Sequence, residues 1–575
     1  MTDPAAPRLR PRRPLPLAML LALGWHASGA PAAEPAADPP APRFVDATRD
    51  SGIEFRGVCG AAPDDKGWLV EAMGSGAAWL DYDGDGLLDL YLVNGSTFDA
   101  APGSAEPSRL FRATGGGRFV DVTAAAGAGH RGWGQGVAVG DIDNDGDPDL
   151  FLTAYGPDVL YRNDGGRFTD VTAAAGVAGG DAWGTAAAFF DMENDGDLDL
   201  YVGNYMDGDP RRVPRRGSEA ARSVHCTYRG IPVFCGPLGR VPQPDVLYRN
   251  DGRGKFTDVT RQAGMALAEP RYALGVVTAD LDADGDQDVY VANDSVSNSL
   301  WRNDGRGRFT EVAVPLLVAL NADGRAQAGM GTDAGDYDGD GWLDLVVTNF
   351  SYDWNTLYRS RGGEFFVDDS ARAGMLATFM ELSWGVGFHD FDLDGDLDLF
   401  IANGHVYPNV DAHDIGTRFR QRNHLFLNVG GGRLREVGRA AGAGLAVERS
   451  FRGAAFADYD DDGDVDVLVT ALDEAPLLLR NDGPFAGHAL RLRLVGKRSN
   501  RDGVGARVEV VAGGRRVVRE RTGGGSYLSA SDPRLHVGLG AATRAERVEV
   551  RWPSGVRQVL TDVPAGGLVV IEEEE

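Results

Sequence analysis

Seven nine-residue stretches place carboxylates at a spacing that suits a metal ion. The clearest is residues 141–149, DIDNDGDPD, where Asp141, Asp143, Asp145 and Asp149 stand at positions 1, 3, 5 and 9. Asp147, at position 7, offers its backbone carbonyl, and Gly146 permits the tight bend that brings the oxygens together. The same five positions are filled by Asp81, Asp83, Asp85, Leu87 and Asp89, then by Asp191, Glu193, Asp195, Asp197 and Asp199. They return as Asp280, Asp282, Asp284, Asp286 and Asp288, and as Asp336, Asp338, Asp340, Trp342 and Asp344. The last two sets are Asp390, Asp392, Asp394, Asp396 and Asp398, and Asp458, Asp460, Asp462, Asp464 and Asp466. An all-oxygen, carboxylate-rich set on a flexible loop suits calcium, whereas magnesium prefers a smaller octahedral shell that keeps several waters. Up to seven calcium ions are expected, with the Glu193 copy among the weaker sites. A lone DxDG reads as a turn between strands, but seven copies of one spacing exclude accident. An EF-hand is excluded as well, because position 12 is apolar or small where that loop needs a glutamate.

The loops imply the elements that must hold them. In residues 134–172 an apolar run, GQGVAVGDI, precedes the loop, and DLFLTAYG, VLYRND and RFTDVT follow it as three further strands. Four strands per repeat make one propeller blade, so seven loops predict seven blades. The last blade lacks its fourth strand, since LLLRND at 477–482 runs into GPFAGHALRLRL. The matching segment lies at the other end, as RFVDAT in residues 43–48. The expected fold is therefore an all-β, seven-bladed propeller closed by its N-terminal strand, because an open ring leaves two unpaired edges. Two insertions, 205–244 and 404–422, fall between second and third strands, on the face opposite the metal loops. Asn94, Tyr155, Asn204, Tyr205, Asn293, Asn349, Phe350, Asn403 and His405 should gather there and line a concave mouth for a ligand.

Catalytic signatures are scarce. There is no H-E-x-x-H, no G-x-S-x-G and no Cys/His nucleophile pattern, so no catalytic residues are assigned and no enzyme is expected. His405, Tyr407 and His413 are the one cluster that could move a proton. The net charge of −28 over 575 residues argues against a nucleic-acid partner. Much of it sits in the loops, where seven divalent ions would offset about 14 charges.

Residues 1–33 read as a signal peptide, with Arg8, Arg10, Arg12 and Arg13 before a short apolar core from Leu15 to Trp25. Residues 34–42 are a Pro/Ala-rich linker, 43–483 the propeller, and 484–575 a separate small β domain. The mature chain should be exported to the periplasm, cell surface or medium, with no transmembrane helix after signal cleavage. In that setting Cys226 and Cys235 are the expected disulfide, with Cys59 as an alternative partner.

The framed loops, GDIDNDGDPDLFLTAYG with LYRNDGGRFTDVT, resemble the FG-GAP/VCBS repeats also found in integrin α-subunit propellers. The tail, with NRDGVGARVEVVAGGRR, GGGSYLSASDPRLHVGLG and VRWPSG, resembles the ASPIC/UnbV domain. The resemblance implies an exported calcium-binding propeller, its ions held at positions 1, 3, 5 and 9 of each loop. The expected function is a binding or adhesion module for a protein or glycan ligand. The alternatives are a calcium-dependent, lyase-like enzyme acting on polysaccharides and a structural component of an envelope complex.

Overall fold

Each aspartate loop joins the first two strands of a four-stranded antiparallel blade in the computed structural model, which describes residues 42–101, 103–208, 226–483 and 487–575. The signal-peptide reading, most of the linker, residues 209–225 of the first insertion and the 484 boundary lie outside the described residues.

Blade 2 shows the logic of the repeat. Its strands are Gly134–Gly140, Asp149–Ala154, Val159–Asn163 and Phe168–Asp170. The first two are continuous apolar runs because they are buried on both faces, while in the outermost strand only Phe168 is buried. The FTDVT signature is a strand end with its own cap. Thr172 Oγ1 accepts the Leu160 N–H at 2.9 Å, and Asp170 Oδ1 accepts the Thr172 N–H at 3.0 Å. Thr260 and Ser370 repeat the bond to Leu247 and Leu357, each at 3.0 Å. The leading phenylalanine packs on position 2 of a neighbouring loop, as Phe168 does on Tyr82 with ring centroids 6.2 Å apart.

The ring closes on the chain's own N-terminus. Phe44–Asp46 pairs antiparallel with Leu477–Asn481, Phe44 opposite Asn481 and Asp46 opposite Leu479. The first strands of all blades form the inner wall, each touching the next, and blade 7 meets blade 1.

The C-terminal strands form two further sheets. One is ordered Arg515–Glu520, Arg507–Ala512, Arg544–Arg551, Arg557–Pro564, and the other Leu535–Gly538, Ala489–Val495, Leu568–Glu572. Leu490, Leu492, Val508, Val510, Val548 and Trp552 fill the sandwich between them. Arg557–Pro564 was not anticipated from sequence, because RQVLTDVP is largely exposed and shows no clean alternation.

Residues 522–532 then leave this sandwich and fill the centre of the propeller. Gly523 and Gly524 add to the first strand of blade 4, opposite Thr278 and Val277. Ser526 carbonyl accepts from Thr332 N, Leu528 carbonyl from Val137 N, and Ala530 carbonyl from Trp79 N, all at 3.1 Å. Asp532 N donates to Phe456 O at 2.9 Å. Inner-wall backbone groups that would otherwise face a channel are thus paired, which an apolar plug could not achieve. Contact is so close that a Cβ on Gly76 would lie 1.6 Å from the Leu528 carbonyl oxygen. Gly76→Val is accordingly expected to destabilise the fold by at least about 3 kcal/mol in urea denaturation.

Candidate metal centres

The loop is built before any ion enters it. In blade 2, Asp141 Oδ1 accepts the Asp145 N–H at 3.1 Å and Oδ2 accepts the Gly146 N–H at 2.8 Å. Gly146 has φ +99°, a conformation that side chains resist. Asp149 at position 9 is wired from both sides, taking the Ile142 N–H at 2.8 Å and the Asn163 N–H at 2.7 Å.

These bonds leave other carboxylate oxygens of the loops unsatisfied. Carboxylate oxygens converge within 4.8 Å of one another in Asp141, Asp143 and Asp149, in Asp336, Asp338 and Asp344, and in Asp390, Asp392 and Asp398. They do so with position 5 in place of position 9 in Asp81, Asp83 and Asp85, and in Asp280, Asp282 and Asp284. Oδ1 of Asp81, Asp83, Asp143, Asp282, Asp336, Asp458 and Asp460, Oδ2 of Asp392 and Oε2 of Glu193 are buried with no hydrogen-bond partner among the described residues. Burial raises neighbouring carboxyls of the same loops, Asp141 up to about 7 and Asp149 and Asp390 each up to about 8. Converging, desolvated and unpaired oxygens fit a hard divalent cation, which would supply the missing charge. Position 7 behaves differently at its side chain. Asp147 Oδ2 accepts from Gly165 N at 2.6 Å, and Asp197 and Asp286 accept from Asn144 and Asn194 of the preceding loops at 3.1 and 2.8 Å.

Two sets of residues at these loops escaped the sequence reading. The asparagine within each RND run ties a loop to its neighbour: Asn163 Nδ2 donates to Tyr82 O, Asn250 Nδ2 to Ile142 O and Asn303 Nδ2 to Met192 O, each at 2.8 Å. The recurrence of RND was the available signal. The second set is arginine from the C-terminal sheets. Arg491 pairs with Asp458 at 2.7 Å and Asp461 at 2.6 Å, Arg534 donates to Asp458 O at 3.0 Å, and Arg551 to Asp284 O at 3.3 Å. Arg507 and Arg515 reach the carbonyls of Gly341 and Asp394. The C-terminal sheets therefore sit on the metal-loop face.

The opposite face corrects an expectation. The ring of asparagines and aromatics does not line an open mouth, because all of it is buried except Tyr155 and Phe350, which are half-buried. Asn94, Asn204, Asn293, Asn349 and Asn403 lie in the interior, and His405 is 0% exposed. Their amides hold the second-to-third connections, as Asn349 Nδ2 does by donating to Trp354 O at 2.9 Å and Asn403 Nδ2 to Arg422 O at 2.9 Å. Tyr205, Tyr407, Trp183, Trp384 and the plug residue Tyr527 complete one aromatic core there. His405 is also no base. Its Nδ1 accepts the Tyr407 N–H at 3.1 Å, so Nε2 carries the proton toward Ser351 Oγ at 3.2 Å, and burial pushes the imidazole down to about 3. On the same side Cys226 is bonded to Cys235, while Cys59 is a buried free thiol whose Sγ points at Val70 O.

Fold and loops together define a seven-bladed propeller with an aspartate-rich loop in every blade. Residues 81–152, 141–202, 233–291, 280–347 and 336–401 match the FG-GAP-like repeat, and residues 496–575 match ASPIC and UnbV. The chain belongs to the FG-GAP-like repeat family and ends in an ASPIC and UnbV segment. It is 28% identical over 373 residues to cartilage acidic protein 1 of Homo sapiens, covering 60% of this chain and 52% of that one. Against the Mus musculus protein of the same name the values are 28% over 331 residues, 54% and 47%. The chain thus spans about half the length of the curated relatives it matches. Among solved structures, an Agrocybe aegerita lectin described as recognising non-reducing terminal N-acetylglucosamine aligns with TM-score 0.38 and 14% identity, over 71% of this chain and 94% of its own. No helix among the described residues is long and apolar enough to cross a membrane.

Proposed function

We propose that this protein is an exported, calcium-binding propeller that serves as a binding or adhesion module for a protein or glycan. Calcium occupies up to seven loops, held by positions 1, 3, 5 and 9, with the position 7 carbonyl as a further ligand. The observation that carries this reading is the set of buried, unpartnered carboxylate oxygens that converge in loop after loop. The propeller from 43 to 483 is the rigid scaffold, and 484–575 is the module that covers its metal face. The proton chain at His405 runs the wrong way for a nucleophile, which favours recognition over catalysis at that cluster. The test is a glycan and peptide array probed in calcium and in EGTA. Hits that depend on calcium are expected, whereas release of reducing ends from acidic polysaccharides would replace the module with an enzyme.

A further inference from the structure

The third strand of every blade ends beside its own metal loop, and its last residue makes the same backbone bond each time. Ala113 N, Asn163 N and Ser360 N donate to the position 9 carboxylates of their loops, Asp89, Asp149 and Asp344, at 2.7 Å. Asn250, Asn303, Asn428 and Asn481 repeat the bond in the other four blades.

The side chain at this place decides whether two loops are joined. Where it is asparagine, Nδ2 donates both to the position 8 carbonyl of its own loop and to the position 2 carbonyl of the preceding loop. Asn163 thus holds Pro148 O at 3.3 Å and Tyr82 O at 2.8 Å, joining the loops of blades 1 and 2. Asn250 and Asn303 join loop 2 to loop 3 and loop 3 to loop 4 in the same way. Asn428 holds Tyr337 O at 2.7 Å and Leu397 O at 3.0 Å, and Asn481 holds Phe391 O at 3.0 Å and Val465 O at 3.5 Å, joining loops 5, 6 and 7. A second tie runs through position 4: Asn144 Nδ2 donates to Gly196 O at 3.2 Å in loop 3, and Asn194 Nδ2 to Gly285 O at 3.3 Å in loop 4.

Two blades lack the bridging amide. Ala113 in blade 1 has no side-chain donor, and Ser360 in blade 5 turns its hydroxyl to accept the Gly363 N–H at 3.2 Å. Among the described residues, no hydrogen bond therefore joins loop 7 directly to loop 1, or loop 4 directly to loop 5. A path across the second gap passes through the C-terminal segment. Asp280 N donates to Glu520 Oε1 at 2.8 Å, and Glu520 Oε2 lies 3.9 Å from Arg507, which reaches Gly341 O. A 3.9 Å charge contact tolerates movement that an amide bonded to two carbonyls does not.

We propose that calcium binds as two separately cooperative groups, loops 1 to 4 and loops 5 to 7, insulated from each other at Ala113 and Ser360. The inference rests on the calcium reading above and adds which sites act together. Position 2 lies between ligand positions 1 and 3, and position 8 between positions 7 and 9, so each bridging amide is held by ligand-bearing backbone at both ends. An ion that orders one loop fixes that amide, and the next loop has less conformational freedom left to lose when its own ion arrives. Repulsion between neighbouring ions acts the other way and is screened at ordinary ionic strength.

The test is amide hydrogen exchange, read loop by loop by mass spectrometry, across a calcium titration of the full chain in about 150 mM salt. Asp145→Ala, which disables loop 2, should raise the calcium needed to protect loops 1, 3 and 4 at least about fivefold, and move loops 5 to 7 less than about twofold. Asp394→Ala, which disables loop 6, should do the reverse, raising loops 5 and 7 and sparing loops 1 to 4. In an Asn163→Ser background, which copies the serine of blade 5, Asp145→Ala should no longer move loop 1 while still moving loops 3 and 4. Equal shifts at all remaining loops overturn the partition, and so does the absence of a shift at any of them. A parent protein whose loops gain no protection from calcium overturns the calcium reading itself, a result distinct from calcium-dependent protection without the two groups.

Discussion

Chelating the calcium-loaded protein with EGTA lowers its melting temperature by about 10–20 °C, and added calcium restores it in a concentration-dependent way. The cause is local to each loop. Asp141, Asp143 and Asp149 bring oxygens within 4.8 Å of one another in a place that burial has already made costly for charge. The unfolded chain spreads those carboxylates into water, so an ion that neutralises the folded loop stabilises the folded state alone. At a hundredfold excess over Kd each site contributes about 2.7 kcal/mol. The sites add within one transition because the loops are joined: Asn163 and Asn250 bridge neighbours, and Arg491, Arg534 and Arg551 tie them to the C-terminal sheets. Asp145→Ala should remove one bound ion and only a small part of the shift. Scanning calorimetry in EGTA and at several calcium concentrations reads all of this. Identical melts in chelator and in excess calcium would exclude a structural role for the ions.

What could be read from sequence was what repeats. Aspartates at fixed spacing, RND at a strand end and FTDVT at the next each perform one bond many times over, so their periodicity reports their place in the blade. The path of residues 522–532 repeats nothing. GGGSYLSASD has no apolar period, and its partners are backbone groups of Thr278, Thr332, Val137 and Trp79, which lie in four different blades. Sequence spacing carries no trace of such contacts. The inner ring was misread for a related reason. Asparagine and histidine usually face solvent, but here Asn293, Asn349 and Asn403 satisfy buried turns, and His405 is closed in by Tyr228, Phe350 and Tyr407. The arginines of the tail offered one legible hint: an acidic loop face on a chain of charge −28 needs cationic neighbours, and Arg491, Arg507, Arg515 and Arg551 supply them from one segment.

Deleting residues 43–48 is expected to abolish cooperative unfolding or to drive the protein into aggregates. The segment is a whole strand of blade 7, supplied from the far end of the chain. Phe44 is fully buried, its N–H bonded to Ala441 O at 2.7 Å and its ring 5.8 Å from Phe391. Thr48 Oγ1 accepts the Leu478 N–H at 2.8 Å, the same bond that Thr172 gives Leu160 in blade 2. Without the segment, Leu477–Asn481 becomes an unpaired apolar edge, a template for another chain. The damage reaches the metal loops as well. Asn481 N donates to Asp466 Oδ1 at 2.8 Å and its Nδ2 to Phe391 O at 3.0 Å, so loosening that strand loosens loop 7 and its tie to loop 6. Phe44→Ala isolates the packing part of the effect and should cost about 3–5 kcal/mol while leaving the strand in place. A synthetic peptide covering residues 42–52, added to the deleted protein, should restore a single sharp transition, because the edge it must pair with is otherwise intact. A deletion variant that melts like the parent in calorimetry, and stays monomeric in light scattering, would show that the ring closes by some other contact.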